Sequence, residues 1–294
     1  MPERATKVKN KSDGELTDSD TLALASKQDE ILALLATIDG DTSALLDRVN
    51  DPILTLAHGS NPLIGAISSI NKFGANSNIA SGVTEEIWDG ERAYIFPTTA
   101  SITHIRSAVD SVITRSVTLE VRGLNDDYVE VTQTKATDAS DSTTEVLLDT
   151  PLRRVFRVKV LDDTPMDQDI WVGPDPASAA NASAIVQAGN NQTLMAIYTV
   201  PVGRTAYMTS WKATVNPATN LDPTSMPIRM WARDNVNGYA PQLKDLQGLI
   251  SGSLRTSYKP YYKFTEKTDI YFDAIPVGKA ADVSLGFDLI LIDN

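Results

Sequence analysis

Hydrophobic and polar positions change their period once along this chain, and that change divides it. From Asp20, Thr21, Leu24, Gln28, Ile31, Leu35, Ile38, Thr42, Leu45 and Val49 recur at alternating three- and four-residue intervals. This is a heptad seam with Leu24, Ile31, Ile38 and Leu45 at d and Leu35 and Val49 among the a positions. Asp20 is a suitable cap for a helix that Pro52 would end, so the spacing predicts a helical segment over 20–51, about 45 Å long if unbroken. Gly40, flanked by Asp39 and Asp41, is a candidate break. Leu22, Leu32, Leu34 and Leu46 broaden the stripe, which leaves an ordinary amphipathic helix as the alternative to an oligomerising one. Gln28 and Thr42 within the seam would help set register and strand number.

Beyond residue 84 the period is two. Val117, Leu119 and Val121 alternate with polar residues, as do Val129 and Val131, and Phe156, Val158 and Val160. After residue 196 the same pattern runs through Tyr207, Thr209, Trp211, Ala213 and Val215, then Ile228, Met230 and Ala232, then 267–272, and finally Val283, Leu285, Phe287, Leu289 and Leu291. Strict alternation with Asp-, Ser- and Gly-rich turns between the runs suits antiparallel sheets with one wet face. The expected fold class is therefore mainly β: an N-terminal oligomerising helix followed by two antiparallel β-sandwich or jelly-roll domains. Expected boundaries are a flexible polar arm over 1–19, the helix over 20–51, a breaker-rich transition over 52–84, and β domains over 85–174 and 175–294. The division at 174/175 rests on the run Gly173-Pro174-Asp175-Pro176-Ala177-Ser178, rich in breakers and without periodicity. Apolar residues on both faces near Ile290 and Ile292 make the last segment a buried central strand, whose removal should unfold its domain.

Composition narrows the function. Lys and Arg number 26 against 38 Asp and Glu, a formal charge of −12 that disfavours a nucleic-acid-coating role. With 42% hydrophobic residues the chain can build packed cores. Cys is absent and only His58 and His104 are present, so thiolate metal sites, cysteine nucleophiles and most Ser-His-Asp chemistry lack their parts. The first twenty residues mix both charges without an apolar stretch, and no apolar run approaches the roughly 20 residues of a spanning helix, so neither a secretory signal nor membrane insertion is expected.

Few residues are candidates for chemistry. Asp126 with Asp127, Asp162 with Asp163, and Asp167 with Asp169 are paired acids in turns, which read as solvated turns rather than catalytic pairs or cation loops. No Walker-type loop, G-x-G-x-x-G or G-x-S-x-G elbow is present, and His58 in the transition segment and His104 in a strand over 101–107 read as surface or half-buried residues rather than bases. Neither a catalytic residue, nor a cofactor, nor a metal ligand is assigned. One basic aromatic patch, Arg255, Tyr258, Tyr261 and Tyr262, is a candidate partner contact, set against the alternative of a strand edge folded onto its own sheet.

Four stretches carry a resemblance: 70–74 (INKFG), 86–90 with 94–98 (EIWDG and YIFPT), 198–207 (YTVPVGRTAY), and 266–270 with 286–292. In these the chain resembles virion structural proteins of tailed bacteriophages, particularly those of marine bacteria. The resemblance implies a symmetric oligomer attached to a capsid or tail through its N-terminal part, and it transfers no catalytic residues. The expected protein is thus non-enzymatic, a capsid decoration, cement or head-fibre protein assembled in the host cytoplasm and located in the virion. Its expected partners are further copies of itself, a trimer being favoured, and the major capsid protein or tail proteins. The alternative is a tail or baseplate fibre protein binding a host receptor or surface glycan.

Overall fold

A helix from Asp18 to Asn50 is the first element of the computed structural model, which describes residues 18–50, 60–61, 65–111, 116–163, 165–175, 177–218 and 223–294. Helix side chains are described from 25 to 42. The arm expected over 1–19 falls outside the described residues except at its last two positions, which are helical. At 33 residues the helix is about 50 Å long and runs through Gly40 without a break. Nothing lies within 4 Å of where a Gly40 side chain would project, so glycine there is a local weakness and not a packing requirement.

Contacts divide the chain into Met1–Asn61 and Pro62–Asn294. Within the second unit, antiparallel sheets account for the regular structure among the described residues. A first sheet carries Gly65–Ile79, Ala281–Asp293, Arg204–Pro217 and Gly252–Phe264 in that order. A second carries Ile197–Thr199, Thr268–Ala274, Met226–Asp234 and Gln242–Leu249, with Glu85–Glu86 beside Thr268–Ala274. A third runs Ala184–Val186, Ile170–Gly173, Ile102–Ser107, Val146–Leu152, and a fourth Glu130–Ala136, Thr118–Leu124, Arg154–Val160. The C-terminal strand is central, between Gly65–Ile79 and Arg204–Pro217, with Val283, Leu285, Phe287, Leu289 and Leu291 buried.

Three sequence expectations need correction. The 52–84 segment is not a transition throughout: Gly65–Ile79 is a fifteen-residue strand. Its inward positions include Lys72, Gly74 and Asn76, so the hydrophobic alternation that marks a strand is missing. The division at 174/175 is crossed by strand pairing, since Ala184–Val186 pairs with Ile170–Gly173. The Pro-rich run is therefore an excursion between neighbouring strands, not a linker. One hydrophobic core gathers most buried apolar residues between Trp88 and Ile197 together with Tyr271, and the other joins Ile79, Ile87, Leu124, Tyr128 and Phe156 to residues from Ala196 to Leu291. Lastly, a β-bulge between Met208 and Ser210 reverses the phase of Arg204–Pro217. Ala206 and Met208 point inward before it and Trp211, Ala213 and Val215 after it, leaving Tyr207 and Thr209 on the outer face.

Thr268–Ala274 ties the two cores together. All seven of its residues are buried. Ile270, Phe272 and Ala274 enter one core, where Phe272 meets Trp211 and Phe287 at ring separations of 5.3 and 5.4 Å. Tyr271, on the opposite face, enters the other core and packs on Phe96 at 4.9 Å. Asp269 and Asp273 share that face; Asp269 receives a bidentate pair from Arg154 and Asp273 one from Arg229, directly across the ladder.

Candidate interaction surfaces and titratable sites

Apolar side chains stand exposed on the helix. Ile31, Leu32, Leu34, Leu35 and Ile38 are each 53 to 64% exposed. Ile31, Leu35 and Ile38 belong to the predicted seam, and Leu32 and Leu34 widen it. Thr42, a polar seam position, donates its hydroxyl to the Ile38 carbonyl at 2.6 Å, so its hydrogen bond is met within the helix. Leu24, Leu45 and Val49 lie in the helix backbone, but their side chains fall outside the described residues.

The basic aromatic patch resolves into two groups. Gly252–Phe264 is the outer strand of the first sheet, beyond Arg204–Pro217. Its residues 254, 256 and 258 turn toward the body while 253, 255 and 257 turn out. Tyr258 is half-buried and donates its hydroxyl to Asp245 on Gln242–Leu249, the outer strand of the second sheet. Trp211 Nε1 donates to the same carboxylate at 3.1 Å and to the Tyr258 oxygen at 2.9 Å. Partial burial works against the Asp245 charge, yet the donors Tyr258, Trp211 and Gln247 outweigh it and hold the carboxyl below its usual range. Burial, followed by the Asp245 hydrogen bond, pushes the Tyr258 phenol up. Tyr262 donates to the Lys244 carbonyl at 3.0 Å and meets the Tyr258 ring edge-on at 4.8 Å. Tyr258 and Tyr262 thus fasten this strand to the outer strand of the second sheet, whereas the alternative reading has the edge folded onto its own sheet. Arg255 and Tyr261 are exposed, as is Tyr262 to a smaller extent. Leu243, Leu246 and Ile250 are also exposed at this edge, and sequence reading missed them because Gln242–Leu249 lacks a clean alternation.

At least one acid of each pair ties its turn to a segment distant in sequence. Asp126 accepts from the Ala100 N–H and from Arg153, Asp162 from the Thr118 N–H, Asp167 from the Ser111 hydroxyl and Asp169 from the Ala188 N–H. Asp127 and Asp163 are exposed in the same turns.

A buried acid and a buried base were not foreseen. Asp89 is 4% exposed, accepts from the Leu194 N–H at 2.9 Å, and its Oδ1 has no partner among the described residues. Burial pushes its carboxyl up to about 8, against the Leu194 hydrogen bond and the Lys72 charge, which favour ionisation. Lys72, also buried, donates to the Phe156 carbonyl, and burial holds its ammonium well below the ordinary range. Because Asp89 binds its proton more tightly folded than unfolded, it stabilises the native state least when ionised. Its contribution falls as pH rises from about 4 to about 8, by at most roughly 1.4 kcal/mol per pH unit. Lys72 has the opposite sign and is present in both wild type and Asp89→Asn, so their difference reports the carboxyl together with its coupling to Lys72. Urea melts from pH 5 to pH 8 should show wild type losing ground steadily to Asp89→Asn; a constant difference would contradict a native carboxyl that titrates near 8.

Among the described residues His104, Glu145 and Asp175 converge, each offering a potential ligand atom, with all three atoms within 4.8 Å of one another. His104 and Glu145 are half-buried and Asp175 is exposed. The three lie far apart in sequence, and only strand pairing brings them together. Sequence spacing contains no sign of the cluster.

Comparison with known proteins yields no family: no protein-family description matches the chain, and no curated protein matches it. Solved structures give distant likenesses. The PBSX exported protein XepA has 10% identity and a TM-score of 0.17 over 74% of this chain and 86% of that one. The Clostridium thermocellum xylanase 10B CBM22-1–GH10 modules have 5% identity and a TM-score of 0.19, covering 66% of this chain and 28% of that one. A chain of Sulfolobus turreted icosahedral virus has 10% identity and a TM-score of 0.15, covering 77% and 92%. Similarity at this level carries no argument about fold or function.

Proposed function

We propose that this chain is a non-enzymatic structural protein of a tailed-phage virion, a homo-oligomer joined through its helix and anchored to the particle by its N-terminal region. The observation that supports it best is the row of five large apolar side chains, each more than half exposed, on a helix of the first unit. Burying one such side chain is worth about 1.5–3 kcal/mol, so self-association of the stripe has ample driving force. Intrahelical bonding of Thr42 lets that position enter a seam without an unmet hydroxyl. A trimer is the favoured state, and a capsid decoration, cement or head-fibre role the favoured place. Trp211, Phe272 and Phe287 interlock between the first two sheets, which supports reading that pair as a β-sandwich. The sequence resemblance to virion proteins supplies the link to a particle.

Light scattering on the full chain tests association. Wild type should give a multiple of the chain mass, and Leu35→Asp with Ile38→Asp should reduce it to one chain while the sheets stay folded. An unchanged mass would move association to the β portion. Densitometry of purified virions tests the location: a head protein recurs over the whole shell, whereas a tail protein is present in the few copies that tail symmetry allows. The tail-fibre alternative draws on exposed Arg255 and Tyr261, and requires saturable binding to host cells that Arg255→Ala with Tyr261→Ala weakens.

A further inference from the structure

We infer that His104, Glu145 and Asp175 form a binding site for one divalent transition-metal ion, with zinc the best match, which clips the turn after Ile170–Gly173 to the edge of the third sheet. The inference stands apart from the virion reading and uses different residues.

Pairing register places the cluster. His104 lies on Ile102–Ser107, a central strand, opposite Leu147 on one side and Gly173 on the other. Glu145 immediately precedes Val146–Leu152, and Asp175 follows Gly173 by two residues. Three adjacent strands therefore deliver one ligand each at one end of the sheet, with potential ligand atoms within 4.8 Å. Two further contacts hold the arrangement. Glu145 Oε1 accepts the backbone N–H of buried Ala177, which draws the Asp175 turn toward the glutamate and leaves Oε2 for a cation. The Thr103 hydroxyl lies 2.8 Å from His104 Nδ1. With that hydroxyl accepting the Nδ1 proton, Nε2 presents its lone pair, the outer-shell arrangement common to metal-bound imidazoles.

The donor set selects the ion. One neutral imidazole and two carboxylates balance the charge of a divalent cation and leave a fourth position for water, the number and kind of protein ligands that suit zinc. Calcium and magnesium favour all-oxygen shells of carboxylate, carbonyl and water, so the imidazole is the ligand that tips the preference toward zinc. Tetrahedral zinc holds ligand atoms about 3.3 Å apart, so rotation of the exposed Asp175 and of Glu145 has at most about 1.5 Å to close.

The test uses tag-free full-length protein, stripped with EDTA and titrated calorimetrically with zinc sulfate. One equivalent per chain is expected. His104→Gln should abolish it, and Glu145→Gln, Asp175→Asn and Thr103→Val should each weaken it by about tenfold or more. Since the chain has only two histidines, His58→Ala leaves His104 as the sole imidazole, and its ring NMR signals must shift with zinc even if other variants fold poorly. Absence of saturable zinc uptake, uptake that leaves the His104 ring signals unmoved, or equal occupancy by calcium would overturn the inference.

Discussion

Replacing Arg154 with leucine is expected to lower the unfolding free energy of the β unit by about 3–5 kcal/mol, measured by urea denaturation. Arg154 is on the fourth sheet and Asp269 on the second, with side chains 4% and 0% exposed. Nε and one terminal nitrogen of the guanidinium each donate to a separate carboxylate oxygen at 2.9 Å. Thr199 and Asn235 donate to the same carboxylate at 2.6 and 2.8 Å, and Arg154 also donates to the Pro97 and Arg153 carbonyls. Leucine would fill much of the volume while stranding a buried carboxylate and two carbonyls. The size of the loss therefore reflects the charge left behind and not the worth of the pair. Adding Asp269→Leu should recover a large part of it, because an apolar pair of similar volume leaves no uncompensated charge. A loss below about 1 kcal/mol for Arg154→Leu would mean that water reaches Asp269 and that the two cores are not joined as described.

That ion pair also shows where sequence reading stops. Asp269 sits in a segment correctly read as a strand, yet nothing in its neighbourhood separates a solvated acid from one that two sheets enclose. The helix and the C-terminal strand were legible, because their apolar positions repeat at the period of the element they form. Gly65–Ile79 was not, because Lys72 and Asn76 occupy inward positions. Lys72 there bonds to Phe156, and Asn76 bonds to Glu85 and to the Glu86 carbonyl. Gln133 is likewise the buried residue of Glu130–Ala136, exchanging two hydrogen bonds with the Thr150 backbone, although the alternation at Val129 and Val131 suffices to mark that strand. Each of these polar residues finds a hydrogen-bond partner on another segment, from 9 residues away for Asn76 to 84 for Lys72, so nothing beside it in sequence marks its burial. Of the candidate contact residues, Arg255, Tyr261 and Tyr262 are exposed, and Tyr258 and Tyr262 have hydrogen-bond partners across the sheet edge. The metal-binding cluster lay beyond reach for the same reason, since pairing register and not spacing assembles it.

Gly74→Ala should be nearly as damaging as the loss of Arg154, costing about 3 kcal/mol or more. A β-carbon on Gly74 would stand 2.3 Å from the Ala196 nitrogen, 2.5 Å from the Ile87 oxygen and 2.8 Å from the Met195 carbonyl carbon. All three are backbone atoms, so no side chain can rotate aside. Ala196 N–H donates to the Ile87 carbonyl at 2.9 Å, and the added methyl would press on that bond. Relief requires separating Gly65–Ile79 from the segments around 87 and 196, which would open the core that Ile79, Ile87 and Ala196 share. Gly40→Ala provides the contrast. In the helix a β-carbon at that position meets nothing within 4 Å, and alanine is favoured over glycine by about 1 kcal/mol. One substitution should thus act with opposite signs at two sites, lowering the denaturation midpoint of the β unit at 74 and raising helicity by circular dichroism at 40. If alanine at 74 leaves the midpoint unchanged, Gly74 does not approach the Ala196 and Ile87 backbones as closely as described, and the account of why a glycine occupies that inward position fails with it.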